Sequence, residues 1–139
     1  MLLEITNLWV HYGGAVAVAG VNLNVQEGLV VALIGANGAG KTTILRTISG
    51  LINPTQGEIR FFERKINGLG PDTIVGLGIT HCPEGRHVFP NLNVIENLLM
   101  GAYLRNDKKE IERDMEGIFD LFPALKKRMR QMAATLSGG

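Results

Sequence analysis

The sequence holds a single cysteine, Cys82, among 139 residues. It can make no internal disulfide and has no second thiol to suggest a zinc site. His11, His81 and His87 are too scattered to supply metal-ligand spacing. Neither sign of charge dominates. The 14 Lys and Arg nearly balance the 13 Asp and Glu, for a net +1, which argues against a broad electrostatic grip on nucleic acid. Long apolar runs are lacking too. The longest, Leu29 to Ala36, falls far short of the roughly 20 residues that span a bilayer. The N-terminus reaches an acid at Glu4 without a basic region, unlike a signal peptide. A reducing, cytoplasmic setting fits these absences, and any tie to a membrane is left to a partner. What remains is a globular composition, 45% hydrophobic and 19% charged, long enough to bury a core.

Leu2 to Tyr12 reads as a strand with rough alternation, closed by a turn at Gly13 and Gly14. In VNLNVQ, Val21, Leu23 and Val25 alternate with Asn22, Asn24 and Gln26, the pattern of a half-buried antiparallel strand. Leu29 to Ile34 does not alternate and predicts a strand buried on both faces. KTTILRTISG predicts a helix with Gly50 at its C-terminal cap. NPTQGEIRFF is a turn into a short strand, PDTIVGLG a short helix, and GITHC a buried strand. Helical patterns dominate beyond about residue 90. Asn93 with Glu96, and Asp107 with Glu110, have capping-box spacing. Ile111, Met115, Ile118, Phe119 and Phe122 fall on one stripe.

Between the apolar run and the first helix stands GANGAGKTT: Gly35, Ala36, Asn37, Gly38, Ala39, Gly40, Lys41, Thr42 and Thr43. It matches G-x-x-x-x-G-K-[ST], a loop whose backbone N–H groups face inward as an anion nest. The helix that follows directs its unpaired N–H groups and partial positive charge at the same phosphates. Lys41 adds a full charge over the β and γ phosphates. The Thr42 hydroxyl suits Mg²⁺ bridging those two groups. The motif in this context predicts nucleoside triphosphate binding.

No Asn-Lys-x-Asp segment reads a guanine, and no arginine-rich lid marks a small-molecule kinase. The last residues, LSGG (Leu136 to Gly139), resemble instead the signature motif of ABC-type ATPases. GANGAGKTTILRTISGL, CPEGRHVFPNLNVIENLLMGAY and LFPALKKRMRQMAATLSGG extend the resemblance along the chain, toward ATP-binding subunits of branched-chain amino acid importers. The resemblance implies an α/β P-loop NTPase core of ABC type over residues 1–90, a mixed sheet with an antiparallel β subdomain. The start of a helical subdomain follows over 91–139. It implies ATP and Mg²⁺ as ligands. Tyr12 matches the aromatic residue that stacks on adenine, a role suited to a ring face. Glu84 falls where the family carries a glutamine near Mg²⁺ and the attacking water, so it is a candidate metal and catalytic residue beside Lys41. Arg86 and Phe89 fall in the loop that couples to membrane subunits. Ser137, Gly138 and Gly139 would cap the γ-phosphate held by a second ATPase subunit in a head-to-tail dimer.

The same resemblance implies integral membrane permeases as partners, no contact with the transported substrate, and a place on the inner face of the cell membrane. The basic run Lys126 to Arg130 reads as a solvated helical face, balanced by the acids that precede it. Cys82, His81 and His87 read as packing residues. An apolar strand ending in Asp-Glu, implied beyond the signature loop, is not found; Gly117 to Asp120 comes nearest and belongs to an amphipathic helix. The expectation is an N-terminal part of a longer ATPase, ending before that strand, able to bind ATP but not to turn it over. It would expose a sheet edge, and be poorly stable alone or paired with another copy. The rival is a soluble ABC ATPase of DNA repair or translation, which usually carries insertions or tandem domains not seen in this sequence.

Overall fold

The structure, a computed structural model, describes residues 1–85 and 87–136. The chain falls into two compact units, Met1–Cys82 and Pro83–Gly139.

In the first unit, β1 (Leu3–Tyr12) is flanked by β2 (Ala15–Val25) and β3 (Gln56–Phe61), and β4 (Arg64–Lys65) completes the order β2-β1-β3-β4. Every pairing is antiparallel. The alternation of β1 is rough because it carries a bulge. Pairing slips between Ile5 and Leu8 against β2 and between Thr6 and Trp9 against β3, and Asn7 takes φ 49°. The extra residue lets Ile5, Leu8 and Val10 all point inward, each essentially sealed from solvent. Asn7 is held there because its N–H donates to Asn22 Oδ1 (2.8 Å) and its Oδ1 accepts from Trp9 Nε1 (3.0 Å). With Val18, Ile59, Ile66, Ile44 and Ile48 of α1 (Lys41–Ile48), and Ile74 of α2 (Pro71–Gly76), these residues form the core. Each fully buried aliphatic side chain contributes about 1.5–3 kcal/mol.

Both helices of this unit end in the same closure. Gly50 N–H donates to Thr47 O and Leu51 N–H to Arg46 O; Gly78 N–H donates to Val75 O and Ile79 N–H to Ile74 O. This is the Schellman pattern, with glycine in left-handed backbone just past the helix. At Gly50 nothing else fits, since a Cβ would lie 2.6 Å from the Leu69 carbonyl oxygen.

Two expected strands are not formed. Leu29 to Ile34 and Gly78 to Cys82 have no ladder partner among the described residues. Val30 is 99% and Ile34 94% exposed, and only Leu33 packs on the core. An apolar segment becomes a buried strand only where neighbours pair its N–H and C=O groups and layers cover its faces. Among the described residues, Leu29 to Ile34 has no pairing strand and no covering layer.

The second unit holds α3 (Val94–Gly101), α4 (Lys108–Leu121), α5 (Pro123–Lys127) and a 3₁₀ turn (Ala133–Thr135). The capping box at Asn93 is complete: Glu96 N–H donates to Asn93 Oδ1 (2.9 Å) and Asn93 N–H to Glu96 Oε2 (2.8 Å). The box expected at Asp107 is absent. Its carboxylate accepts from Arg105, at 3.0 and 2.6 Å, and Glu110 pairs with Arg113. Phe119 is buried, while Ile111, Met115 and Ile118 line a cavity of about 380 Å³ against Leu98 and Ala102. Phe122 leaves the expected stripe and is exposed. Pro123 follows it and disfavours helical backbone at Phe122, which takes φ −128° and ψ 71°. The basic run is exposed as expected, but only Lys126 and Lys127 lie in a helix, and Arg128 to Arg130 form the turn after α5.

Candidate functional site

The phosphate-loop motif and the aromatic candidate meet within the first unit. Gly40 is the N-cap of α1 at φ 85° and ψ 2°, with no side chain to cap the helix. The first-turn N–H groups of α1 therefore lack both intrahelical acceptors and a side-chain cap, the arrangement that leaves them for an anion. Only glycine fits here: a Cβ would meet the Ala17 carbonyl oxygen of β2 at 2.6 Å. The loop thus rests against the sheet. Ala39 N–H donates to Ala36 O (3.2 Å), closing a turn inside the motif.

Lys41 turns back onto the start of the loop. Its Nζ donates to the carbonyl oxygens of Gly35 (2.8 Å) and Ala36 (2.7 Å). Two of three N–H donors are occupied by neutral acceptors, so the positive charge is positioned but not neutralised. Thr42 is exposed, its hydroxyl close in sequence to this charge, while Thr43 is buried.

Tyr12, 50% exposed at the end of β1, places its hydroxyl 3.4 Å from Thr43 Oγ1. The contact is long for a hydrogen bond between hydroxyls, but it brings an exposed aromatic ring to the helix start that carries the loop. Asn37 and Gly38 lie exposed between.

Glu84 belongs to the second unit and is exposed. Its carbonyl oxygen accepts from His87 Nε2 at 2.8 Å, and Gly85 takes φ 93°. Phe89 exposes its ring, but its backbone is held on both sides by one residue: Phe89 N–H donates to Asn97 Oδ1 (2.8 Å) and Asn97 Nδ2 to Phe89 O (3.1 Å). Asn97 Nδ2 also reaches Leu92 O and Asn93 O at 3.2 and 2.9 Å. Leu92 O accepts in addition from Ala133 N–H, and Pro90 O from Ala134 N–H. The loop carrying Glu84 and Phe89 is thereby joined to the segment that leads into Leu136. Arg86, Ser137, Gly138 and Gly139 lie outside the described residues.

Of the residues singled out in the sequence, the structure thus brings together Tyr12, Lys41, Thr43 and the 35–40 loop. Glu84 stands in the other unit. Two organising groups escape sequence reasoning: Asn97, and a hydrogen bond between Ser49 and His81 (2.8 Å). The ENL triplet at 96–98 gives no sign of Asn97's four bonds, and a pair 32 residues apart leaves no periodic signal. Among the described residues no cluster of three metal-ligating side chains occurs, and no helix is long and apolar enough to cross a membrane.

Comparison with known proteins agrees with this geometry. The ABC transporter family model matches residues 18–139. A high-affinity branched-chain amino acid transport ATP-binding protein, BraG of Pseudomonas aeruginosa, is 41% identical over 138 residues, 99% of this chain and 59% of its own length. The solved structure of an ATP binding subunit of an ABC transporter superposes with TM-score 0.84 at 30% identity, over 99% of this chain and 56% of that one. A bacterial ABC transporter cassette solved as a dimer gives TM-score 0.81 at 25% identity, over 99% and 64%. The chain spans less than two thirds of each. A family match over most of the chain, on a G-x-x-x-x-G-K-T loop set at an uncapped helix start with an aromatic residue beside it, identifies it as a member of the ABC transporter family.

Proposed function

We propose that this chain is the nucleotide-holding part of an ABC importer's ATP-binding subunit, for branched-chain amino acids, working at the inner face of the cell membrane. One observation carries the reading: the 35–43 loop opens onto an uncapped helix N-terminus, with Lys41 and Tyr12 beside it. The loop N–H groups and Lys41 would bind the phosphates of ATP, Tyr12 would stack on the base, and Thr42 would ligate Mg²⁺. Glu84 would add an oxygen ligand to the metal from the 83–92 loop. Bound Mg²⁺ would spread the charge that develops on the phosphoryl group.

Residues 1–90 would form the nucleotide core and 91–139 the first part of the helical subdomain. Ser137, Gly138 and Gly139 would cap the nucleotide of a second ATPase subunit placed head to tail. The exposed ring of Phe89, on a backbone fixed by Asn97, is suited to receive a permease. The transported substrate would touch the permeases alone. The similarity to BraG supports the importer reading over a DNA-repair or translation ATPase.

The test is co-purification with the integral membrane permease subunits of a branched-chain amino acid importer. The expected result is capture that falls at least tenfold in Phe89→Ala, the loss of one well-buried aromatic anchor. Capture that ignores this substitution, or no capture, would contradict the importer assignment.

A further inference from the structure

Ser49, nine-tenths buried at the C-cap of α1, carries two hydrogen bonds on its hydroxyl: to the Leu45 carbonyl oxygen at 2.8 Å and to His81 Nδ1 at 2.8 Å. The carbonyl can only accept, so the hydroxyl proton goes to Leu45 and Nδ1 must be the donor to Ser49 Oγ. His81 is thus held in one tautomer, with the proton on Nδ1.

This bond sits at a corner with no slack. Gly50, the next residue, packs its backbone against Leu69 O. Ile79, two residues before His81, is tied to Ile74 O at 3.3 Å. The helix that ends at this corner begins at Lys41, where the phosphate loop ends. Eight helical residues make a rod about 12 Å long, which moves as one piece. At the far side of the bond, His81 is followed by Cys82, Pro83 and Glu84.

We propose that the Ser49–His81 hydrogen bond transmits occupancy of the phosphate loop to the segment that carries Glu84, making His81 a positioning residue for that loop. The proposal rests on the nucleotide reading above. An anion that draws on the first turn of α1 displaces its last turn along the same axis. Ser49 passes that displacement to His81, because the Schellman closure and Leu69 leave Ser49 no other way to relax. Leu45 O also accepts from Ser49 N–H at 3.0 Å, so Ser49→Ala leaves the helix end closed while cutting the link.

Cys82, exposed and the chain's single cysteine, is a built-in reporter. The experiment measures its labelling rate by an aromatic disulfide, with and without saturating Mg-ATP, while calorimetry follows ATP binding on the same samples. In the wild-type chain, ATP is expected to change the rate about fivefold, the low end of ordinary coupling between sites. Ser49→Ala and His81→Leu are expected to bind ATP as before but to lose the response. His81→Asn, whose amide Nδ2–H stands where Nδ1–H stood, is expected to restore it. A response in Ser49→Ala equal to wild type, or a wild-type chain that binds ATP with no change at Cys82, would overturn the proposal. Should Ser49→Ala not fold, the Leu and Asn variants of His81 decide it between them. A wild-type chain that binds no ATP would overturn the nucleotide reading, and the coupling with it.

Discussion

Gly38 and Gly40 both hold left-handed backbone, at φ 84° and 85°, yet alanine at the two positions should cost differently. At Gly38 a Cβ meets nothing within 4 Å, so Gly38→Ala carries only the left-handed penalty, about 1–2 kcal/mol. At Gly40 the same penalty is joined by a 2.6 Å approach to the backbone of Ala17, which cannot relieve itself by a rotamer change. Gly40→Ala is expected to lower the urea midpoint further than Gly38→Ala; equal midpoints would show that the loop does not press on β2. The motif residues were legible because their chemistry is local and their spacing fixed. Ser49, His81 and Asn97 were not, because what matters in them is a partner, and partners 32 residues or one loop away leave no mark on spacing. Asn97→Ala removes four bonds that hold residues 89–93. A loss of about 1–3 kcal/mol is expected in urea unfolding, the cost of stranding polar groups. An unchanged midpoint would show that solvent takes over those bonds.

The two capping-box spacings show where element-level reading succeeds and where it stops. At Asn93 nothing competes for either side chain, and the box forms. At Asp107 the sequence places Arg105 two residues before, and a charged donor takes the carboxylate from the helix. These hydrogen bonds hold the Asp107 carboxyl below the usual carboxylate range. A depressed folded-state value means the pairing stabilises above the ordinary range and is lost as pH falls through that lower value. The group is solvent-exposed, so salt screens the effect. Asn93→Ala is therefore expected to cost about 1 kcal/mol of unfolding free energy at any salt, whereas Asp107→Ala should produce a smaller change that vanishes at high salt. A larger loss at Asp107 would contradict this division. The same logic accounts for Leu29 to Ile34. Composition states what a segment requires for burial, not whether the chain supplies the neighbours, and Leu29 to Ile34 pairs with no strand among the described residues.

At the scale of the whole molecule, protection should be uneven. The β1 amides of Ile5, Leu8 and Val10 lie in the core and are expected to exchange slowest, whereas amides of 29–34 should exchange within the dead time of a manual experiment. Protection of 29–34 equal to that of β1 would mean that another copy or segment pairs there. The β1–β2 hairpin, the short helices and the phosphate loop were readable in advance because each is built from neighbours in sequence, whereas the β1–β3 pairing, Leu3 against Phe61, joins residues too far apart to leave a local signal. We read the 35–43 loop, with Lys41 and Tyr12 beside it, as a nucleotide cradle. Calorimetric titration of the chain with Mg-ATP, beside Lys41→Ala, tests it most directly. Saturable binding is expected, weakened roughly 10- to 100-fold by the substitution, the ordinary worth of hydrogen bonds from one charged donor. Absence of binding, or binding indifferent to Lys41, would contradict the account.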